Sequence, residues 1–365
     1  MKEQKRFLIV KTSSLGDIIQ AFDVLNYLNR KFPDALIDWV VEERFFSIVE
    51  AHPFVNRAIP FDIKKIKQRW REKSFWRSLR SAVLSMRQIR YDLLFDLQGN
   101  CKSGAVTFLC RAKIKVGFGK NSVREWPNLL TTHKRFDIPR SINIRRQYIN
   151  LLQKFFNDQE VVEPEGVRFK ISTSDRMRLD TFLSFPELQK KMRVMVCPGS
   201  KWSNKQLPQE TLEALMSKMQ EALNCSFLMI WGTDEEKKCC LAINQRFSHC
   251  SIVLDRLELP IWQNLMNEID LVIAVDSSAL HLCATTDTPT FSIFGPTSSN
   301  VFKPLGFRHF ASQGACPYNK PFEKQCPFLR SCQTGACIRN LSADGLFNQF
   351  FNWWRVFIDK PHARI

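Results

Sequence analysis

Two strand-to-loop-to-helix junctions constrain this chain more than any other feature. Lys11-Thr-Ser-Ser-Leu-Gly-Asp17 follows the apolar run Phe7-Leu8-Ile9-Val10, and Asp276-Ser-Ser-Ala-Leu-His281 follows Leu271-Val272-Ile273-Ala274-Val275. Each opens a segment with apolar residues at helical spacing, as in Ile18, Phe22, Leu25 and Leu28 after the first. Open α/β sheets bind ligands in loops at the C-terminal ends of their strands. Small residues with one acid in each loop suit a phosphorylated, hydroxyl-rich ligand shared by two α/β halves.

The rest of the chain repeats this alternation. Apolar runs at residues 7–10, 37–41, 93–97 and 114–118 are separated by helical patterns, and the sequence restarts with runs at 193–197, 226–231, 252–254, 271–275 and 290–294. Strands alternating with helices of this length predict parallel sheets. The periodicity breaks at Val161-Val-Glu-Pro-Glu-Gly166, so a linker is expected near residues 158–172. For 365 residues two domains of roughly 170 residues each are the natural division. We expect an N-terminal domain over 1–165, a second over 166–342, and a final helix over 343–365. That helix carries Trp353, Trp354 and Phe357 and is expected to pack back on the N-terminal domain rather than touch a bilayer interface.

Composition narrows the function classes. The only apolar run near the N-terminus, residues 7–10, is too short for a secretory h-region. The 12 cysteines are therefore expected to be reduced thiols of a cytoplasmic protein. No apolar stretch approaches the roughly 18 residues of a membrane span. The net charge of +17 is uneven: Lys64 to Arg90 holds ten Lys or Arg against the single acid Glu72, interleaved with Trp70, Phe75 and Trp76. Such a stripe suits an anionic membrane surface, an anionic glycolipid head group, a nucleic acid or a solvated helix face. No recognisable DNA- or RNA-binding module accompanies it, so nucleic acid is not the expected partner.

At the first junction Gly16 permits close backbone approach, and Asp17 is either a helix cap or a general base for an attacking hydroxyl. At the second, the amides of Ser277 and Ser278 at a helix start suit a phosphate. Asp276 would repel phosphate and fits a sugar hydroxyl better, while His281 either orients it or packs structurally. The loop Pro198-Gly-Ser-Lys-Trp-Ser-Asn-Lys-Gln-Leu-Pro208 adds hydroxyls and two lysines after a strand. Trp231-Gly-Thr-Asp-Glu-Glu236 places acids where a ribose is bound or a helix is capped. Cys316, Cys326, Cys332 and Cys337 lack the paired knuckles of structural zinc sites. Zinc, a redox pair and unligated loop thiols all remain open for them.

Taken together, Val10 to Asp17, Asp38-Trp-Val-Val-Glu-Glu43, Phe95-Asp-Leu-Gln-Gly99 with Lys102-Ser103, and Val275-Asp-Ser-Ser to His281 with Phe294-Gly-Pro-Thr297 resemble, in order, the landmarks of the lipopolysaccharide heptosyltransferases. The likeness is greatest to members adding the first heptose of the inner core. It implies a GT-B fold, two Rossmann-like domains with parallel sheets facing each other across a cleft. It also implies an inverting glycosyltransferase moving heptose from ADP-heptose to Kdo-modified lipid A, working as a cytoplasmic monomer peripheral to the anionic inner membrane. A second-heptose step and a non-catalytic sugar-nucleotide or polyanion binder are the alternatives.

By the same resemblance Asp17 is the catalytic base. Ser14, Gly16, Ser200, Lys205, Asp276, Ser277, Ser278 and His281 serve the donor, with Asp234 or Glu235 on its ribose. Lys64, Lys65, Lys102 and Arg124 meet the acceptor's anionic groups. Ser278 stands where the family usually has Gly, and Lys64-Lys65 where it has an Arg pair. The sequence contains no Asp-x-Asp pair, the usual holder of a divalent ion on a sugar diphosphate, so no obligatory metal or other cofactor is expected.

Overall fold

Phe7, Leu8, Ile9 and Val10 are all fully buried, as befits a parallel strand covered on both faces. They form β1 (Arg6–Val10), the centre of the first sheet in a computed structural model that describes residues 4–61, 84, 86–190 and 192–359. After it come α1 (Leu15–Gln20), α2 (Asp23–Lys31), β2 (Leu36–Val41), α3 (Phe46–Glu50), β3 (Arg57–Pro60), β4 (Arg90–Asp96), α4 (Cys101–Leu109), β5 (Arg111–Phe118), β6 (Lys134–Phe136) and α5 (Ile144–Phe156). The strand order is β3-β2-β1-β4-β5-β6. Every described pairing is parallel, and Ile9 sits between Trp39 and Phe95.

Two devices hold α2 and α5 in the first unit. Arg145 and Asp23 form an ion pair of 3.0 Å with both side chains almost fully buried. At the C-terminal ends of the two helices, Phe32, Phe95, Phe155 and Phe156 make edge and tilted ring contacts at centroid distances of 5.0–6.0 Å. The helix α5 stops at Asn157, whose φ of 51° lies in the left-handed region that asparagine tolerates better than most residues.

The second unit repeats the design. It contains α6 (Thr173–Leu183), β7 (Met192–Cys197), α7 (Gln209–Leu223), β8 (Cys225–Met229), α8 (Asp234–Arg246), β9 (Ser251–Val253), α9 (Leu259–Met266), β10 (Leu271–Val275), α10 (Ser278–Cys283), β11 (Thr290–Phe294), α11 (Ser299–Phe302), β12 (His309–Gln313), α12 (Ala336–Arg339) and α13 (Ala343–Ile358). Its strand order is β12-β11-β10-β7-β8-β9, again with parallel pairings. Counted from its own first strand, this order is the same as that of the first sheet. Both have the order of a doubly wound nucleotide-binding fold, with its topological switch point between the first and fourth strands.

The chain divides into Met1–Val162 and Glu163–Ile365, so the final helix belongs to the second unit. The expectation that it packs back on the N-terminal domain is corrected accordingly. Leu346, Phe350, Trp354 and Phe357, spaced four, four and three apart, are buried in the second unit's core with Met216, Met219, Phe291 and Ile293. The Phe350 ring meets Phe291 edge-on at 5.5 Å, and Lys218 of α7 pairs with Asp344 at 2.7 Å. An amphipathic helix needs an apolar surface, and the second sheet's own surface supplies it.

Candidate active site

In the first unit the switch point brings together the loops that leave β1 and β4. Gln98 fastens one loop to the other: its Oε1 accepts from Thr12 N at 2.8 Å, Thr12 Oγ1 at 3.0 Å and Ser13 N at 3.2 Å. Behind it, Asp96 accepts from the amides of Gln98 and Gly99, both at 3.0 Å, and from Asn128 Nδ2 at 2.7 Å. Lys11 is fully buried, with Nζ 5.0 Å from the centre of the Tyr148 ring.

Asp17 occupies the third position of α1, with Ser14 as the N-cap. Its Oδ2 accepts from Ser14 N at 3.2 Å and Ser14 Oγ at 3.0 Å. Its Oδ1 lies 3.5 Å from Nη2 of Arg124, whose side chain is 47% exposed. The two readings of this residue thus fall on different oxygens: Oδ2 closes the cap, and Oδ1 faces a guanidinium that solvent also reaches. Gly99 fixes the backbone that carries that side chain. Its φ of +67° suits glycine, and its carbonyl accepts from the amides of Arg124 and Glu125, both at 3.0 Å. Burial pushes the Asp17 carboxyl up, but Lys11, Arg124 and the Ser14 hydrogen bonds outweigh it and bring the pKa down to about 2. Asp17 is therefore a carboxylate at neutral pH.

The other expected acceptor residues differ in what can be said of them. Lys102 is paired with buried Glu42 at 2.7 Å, and Glu42 also holds Arg44 at 2.7 Å. Lys64 and Lys65 lie outside the described residues.

In the second unit the switch point joins the loops after β7 and β10. A single 3₁₀ turn, Ser203–Lys205, carries Lys205 to Asp276, Nζ to Oδ2 at 2.6 Å. The turn is anchored by Asn204, whose Nδ2 donates to Leu329 O at 2.6 Å. Thr297 Oγ1 donates to the same Asp276 oxygen at 2.6 Å, and His281 Nε2 stands 3.6 Å from the other. Desolvation of the buried Asp276 raises its pKa, but His281 and Lys205 overcome this and hold it well below the usual carboxylate range. Beside it, Ser277 occupies the N-cap position of α10 without a side-chain cap, and its buried Oγ has no hydrogen-bond partner among the described residues.

The remaining donor candidates lie on the loop after β7 and at the start of α8. The Ser200 carbonyl accepts from Gln206 Nε2 at 2.7 Å. At the start of α8 the cap is Thr233, and Glu236 closes it by accepting from Gly232 N at 2.7 Å and Thr233 N at 3.2 Å. Asp234 and Glu235 are left exposed in the first turn. Glu236 also explains Gly199, where a Cβ would stand 2.2 Å from that carboxyl carbon. Sequence reasoning assigned no individual role to Gln98 or Thr297, whereas the helix-capping alternative read for the acids of residues 231–236 is the one that Glu236 fulfils. The signal for Gln98 and Thr297 is a polar residue in the loop that follows a buried strand.

Cys316, Cys326, Cys332 and Cys337 line one small cavity of the second unit, together with Asn204, Tyr318 and Gly335. All four are free thiols. Among the described residues no group of three or more His, Cys, Asp or Glu is arranged to hold a metal ion.

Comparison with known proteins gives concordant findings. The profile of glycosyltransferase family 9 (heptosyltransferase) matches residues 76–331. Lipopolysaccharide heptosyltransferase 1 of Pseudomonas aeruginosa is 31% identical over 299 residues, covering 80% of this chain and 79% of its own. The Campylobacter coli protein of the same name is 29% identical over 319 residues, covering 82% and 86%. The solved E. coli heptosyltransferase WaaC with ADP superposes with a TM-score of 0.74 at 23% identity, over 95% of this chain and 99% of that one. That likeness gives the fold class, GT-B, built here from two Rossmann-like units. The chain belongs to glycosyltransferase family 9, the heptosyltransferases, and is a glycosyltransferase.

Proposed function

We propose that this glycosyltransferase moves L-glycero-D-manno-heptose from ADP-heptose to Kdo-modified lipid A, the first heptose addition of the lipopolysaccharide inner core. The observation that carries the reading is the pairing of reactive groups with switch points: Asp17 at the first, and the Lys205–Asp276 pair at the second. The name heptosyltransferase 1, borne by both of the relatives described above, supports the first-heptose step over the second.

In the proposed reaction the acceptor hydroxyl attacks the anomeric carbon with inversion, its proton passes to Asp17 Oδ1, and the bond to ADP breaks. Lys205 leaves Asp276 in part to meet the diphosphate, with the amides of Ser277 and Ser278 and the Ser200 hydroxyl beside it. Asp276, with His281 and Thr297, stays near the transferred sugar, and Asp234 or Glu235 takes the ribose. Arg124, Lys102, Lys64 and Lys65 serve the acceptor's carboxylates and phosphates. Among the described residues no helix is long and apolar enough to cross a membrane. Contact with the lipid acceptor is proposed to be peripheral, from the cytoplasmic side.

The test is incubation with ADP-heptose and Kdo-modified lipid A, followed by mass spectrometry of the acceptor. A product heavier by one heptose is expected, and its yield should survive excess EDTA because the sequence contains no Asp-x-Asp pair to hold a divalent ion on the donor. Transfer only to an already heptosylated core would assign the later step instead. Retained ADP-heptose binding with no transfer to either acceptor would overturn the catalytic reading, and loss of activity to chelator with rescue by one divalent ion would overturn the metal-free mechanism.

A further inference from the structure

The Asp17 oxygen that must take the acceptor's proton is the one that faces Arg124, and this creates a conflict. A carboxylate held at about 2 by its surroundings is a poor base, because proton-transfer efficiency falls as the base's pKa drops below the working pH. Asp17 Oδ2 cannot substitute, since Ser14 N and Ser14 Oγ occupy it at 3.2 and 3.0 Å. The conflict is resolved if the guanidinium is removable. The Arg124 side chain is 47% exposed, its contact with Oδ1 is a 3.5 Å ion pair, and its backbone is fixed through Gly99 O. The remaining groups around Asp17 do not move in this way: Lys11 is buried over the Tyr148 ring, and Tyr148 is buried with it.

Building on the proposed acceptor reading, we infer that Arg124 is a brake on Asp17 released by the acceptor itself. An anionic group of the acceptor draws the guanidinium away from Oδ1, and the freed carboxylate becomes a stronger base only when a substrate is in place. The hydroxyl proton then passes to Oδ1 as the hydroxyl oxygen bonds to the anomeric carbon and the sugar's bond to ADP breaks. Arg124 is on this account a positioning residue that couples acceptor charge to basicity. It selects anionic acceptors through turnover as well as through binding.

The experiment follows the Asp17 carboxyl directly, by NMR of protein carrying carbon-13 in its aspartate carboxyl groups, with the signal assigned by its loss in Asp17→Asn. The probe is a water-soluble Kdo glycoside without lipid, and saturation is read from shifts elsewhere in the first unit. In the native chain the probe should raise the Asp17 pKa from its low value toward the ordinary aspartate value of about 4. In Arg124→Met it should already be raised, and the probe should add little. Arg124→Lys, which keeps the charge, should stay low until the probe is added. A bound probe that leaves the native Asp17 pKa unchanged overturns the inference. So does an equal rise in the native chain and Arg124→Met, which would mean that the anion's own field acts on Asp17 without the guanidinium.

A kinetic arm uses an acceptor whose Kdo carboxylates are methyl esters. It should lower kcat of the native enzyme by roughly tenfold or more, the scale of a weakened general base, and lower that of Arg124→Met far less. If no acceptor is ever heptosylated, the proposed function fails, while the NMR arm still decides whether Arg124 governs Asp17.

Discussion

A carboxylate with two jobs can be divided by substitution. Asp17→Asn keeps an oxygen able to accept from Ser14, so α1 should remain capped while the proton acceptor is lost. Turnover should fall by about 10² to 10⁴, the usual range for a missing general base, with ADP affinity by calorimetry unchanged. Asp17→Ala loses the cap as well and should cost about 1 kcal/mol of stability. Wild-type turnover in the Asn variant would reduce Asp17 to a cap. Lys205 is likewise double, because it neutralises buried Asp276 and is proposed to meet the diphosphate. Lys205→Met should weaken ADP binding by about 1.5–3 kcal/mol, the range for hydrogen bonds to charged groups. It should also destabilise the second unit by leaving a buried carboxylate with only His281 and Thr297. The depressed Asp276 pKa fixes the sign of the pH dependence. Stability from the pair is complete above the unfolded value of about 4 and is lost as the pH falls below it toward the folded value. Denaturant melts should therefore show the gap between wild type and Lys205→Met narrowing as the medium becomes acidic. A gap that is constant with pH would mean that the ion pair contributes nothing.

At the scale of elements, the strands were the most legible part of the sequence. Phe7 to Val10 and Leu271 to Val275 are unbroken apolar runs because parallel strands are buried on both faces, and they end where the sites begin. That position alone points to Asp17 and Asp276. The contact of Lys205 with Asp276, 71 residues apart, was not legible, because it depends on β10 lying beside β7, and strand order is not encoded in local periodicity. The same holds for Lys102, whose partner Glu42 is 60 residues away. The final helix shows the limit from another side. Its apolar stripe predicts a buried face but does not name the partner, since both sheets offer apolar surfaces. The packing against β11 and α7 makes a definite prediction. Phe350 is fully buried against Phe291, so Phe350→Ala should cost about 3–5 kcal/mol, as for other buried large aromatic truncations. Thermal melts of the chain should show the loss, and an unchanged Tm would mean the helix does not complete the second core.

For the whole molecule the largest unexplained quantity is charge. The +17 formal charge is concentrated in a sequence stripe with ten basic residues between Lys64 and Arg90, much more than two nucleotide-binding sheets need for folding. Charges of one sign steer oppositely charged partners and are screened over about 10 Å at ordinary salt. The proposed lipid acceptor carries several carboxylates and phosphates and lies in an anionic surface, so the stripe should act on acceptor encounter and leave the donor alone. Lys64→Gln with Lys65→Gln should raise the acceptor KM by about tenfold, equivalent to about 1.4 kcal/mol, while ADP affinity stays within error. Raising the salt should weaken the wild-type acceptor interaction more than that of the double variant, because the variant has fewer charges left to screen. The pairing of these two readouts is what gives the test its force. A general loss of fold would lower ADP affinity too, and a solvated helix face would move neither quantity. If the acceptor KM and its salt dependence are both unmoved by the double substitution, the stripe does not serve the acceptor, and the charge of this enzyme needs another partner.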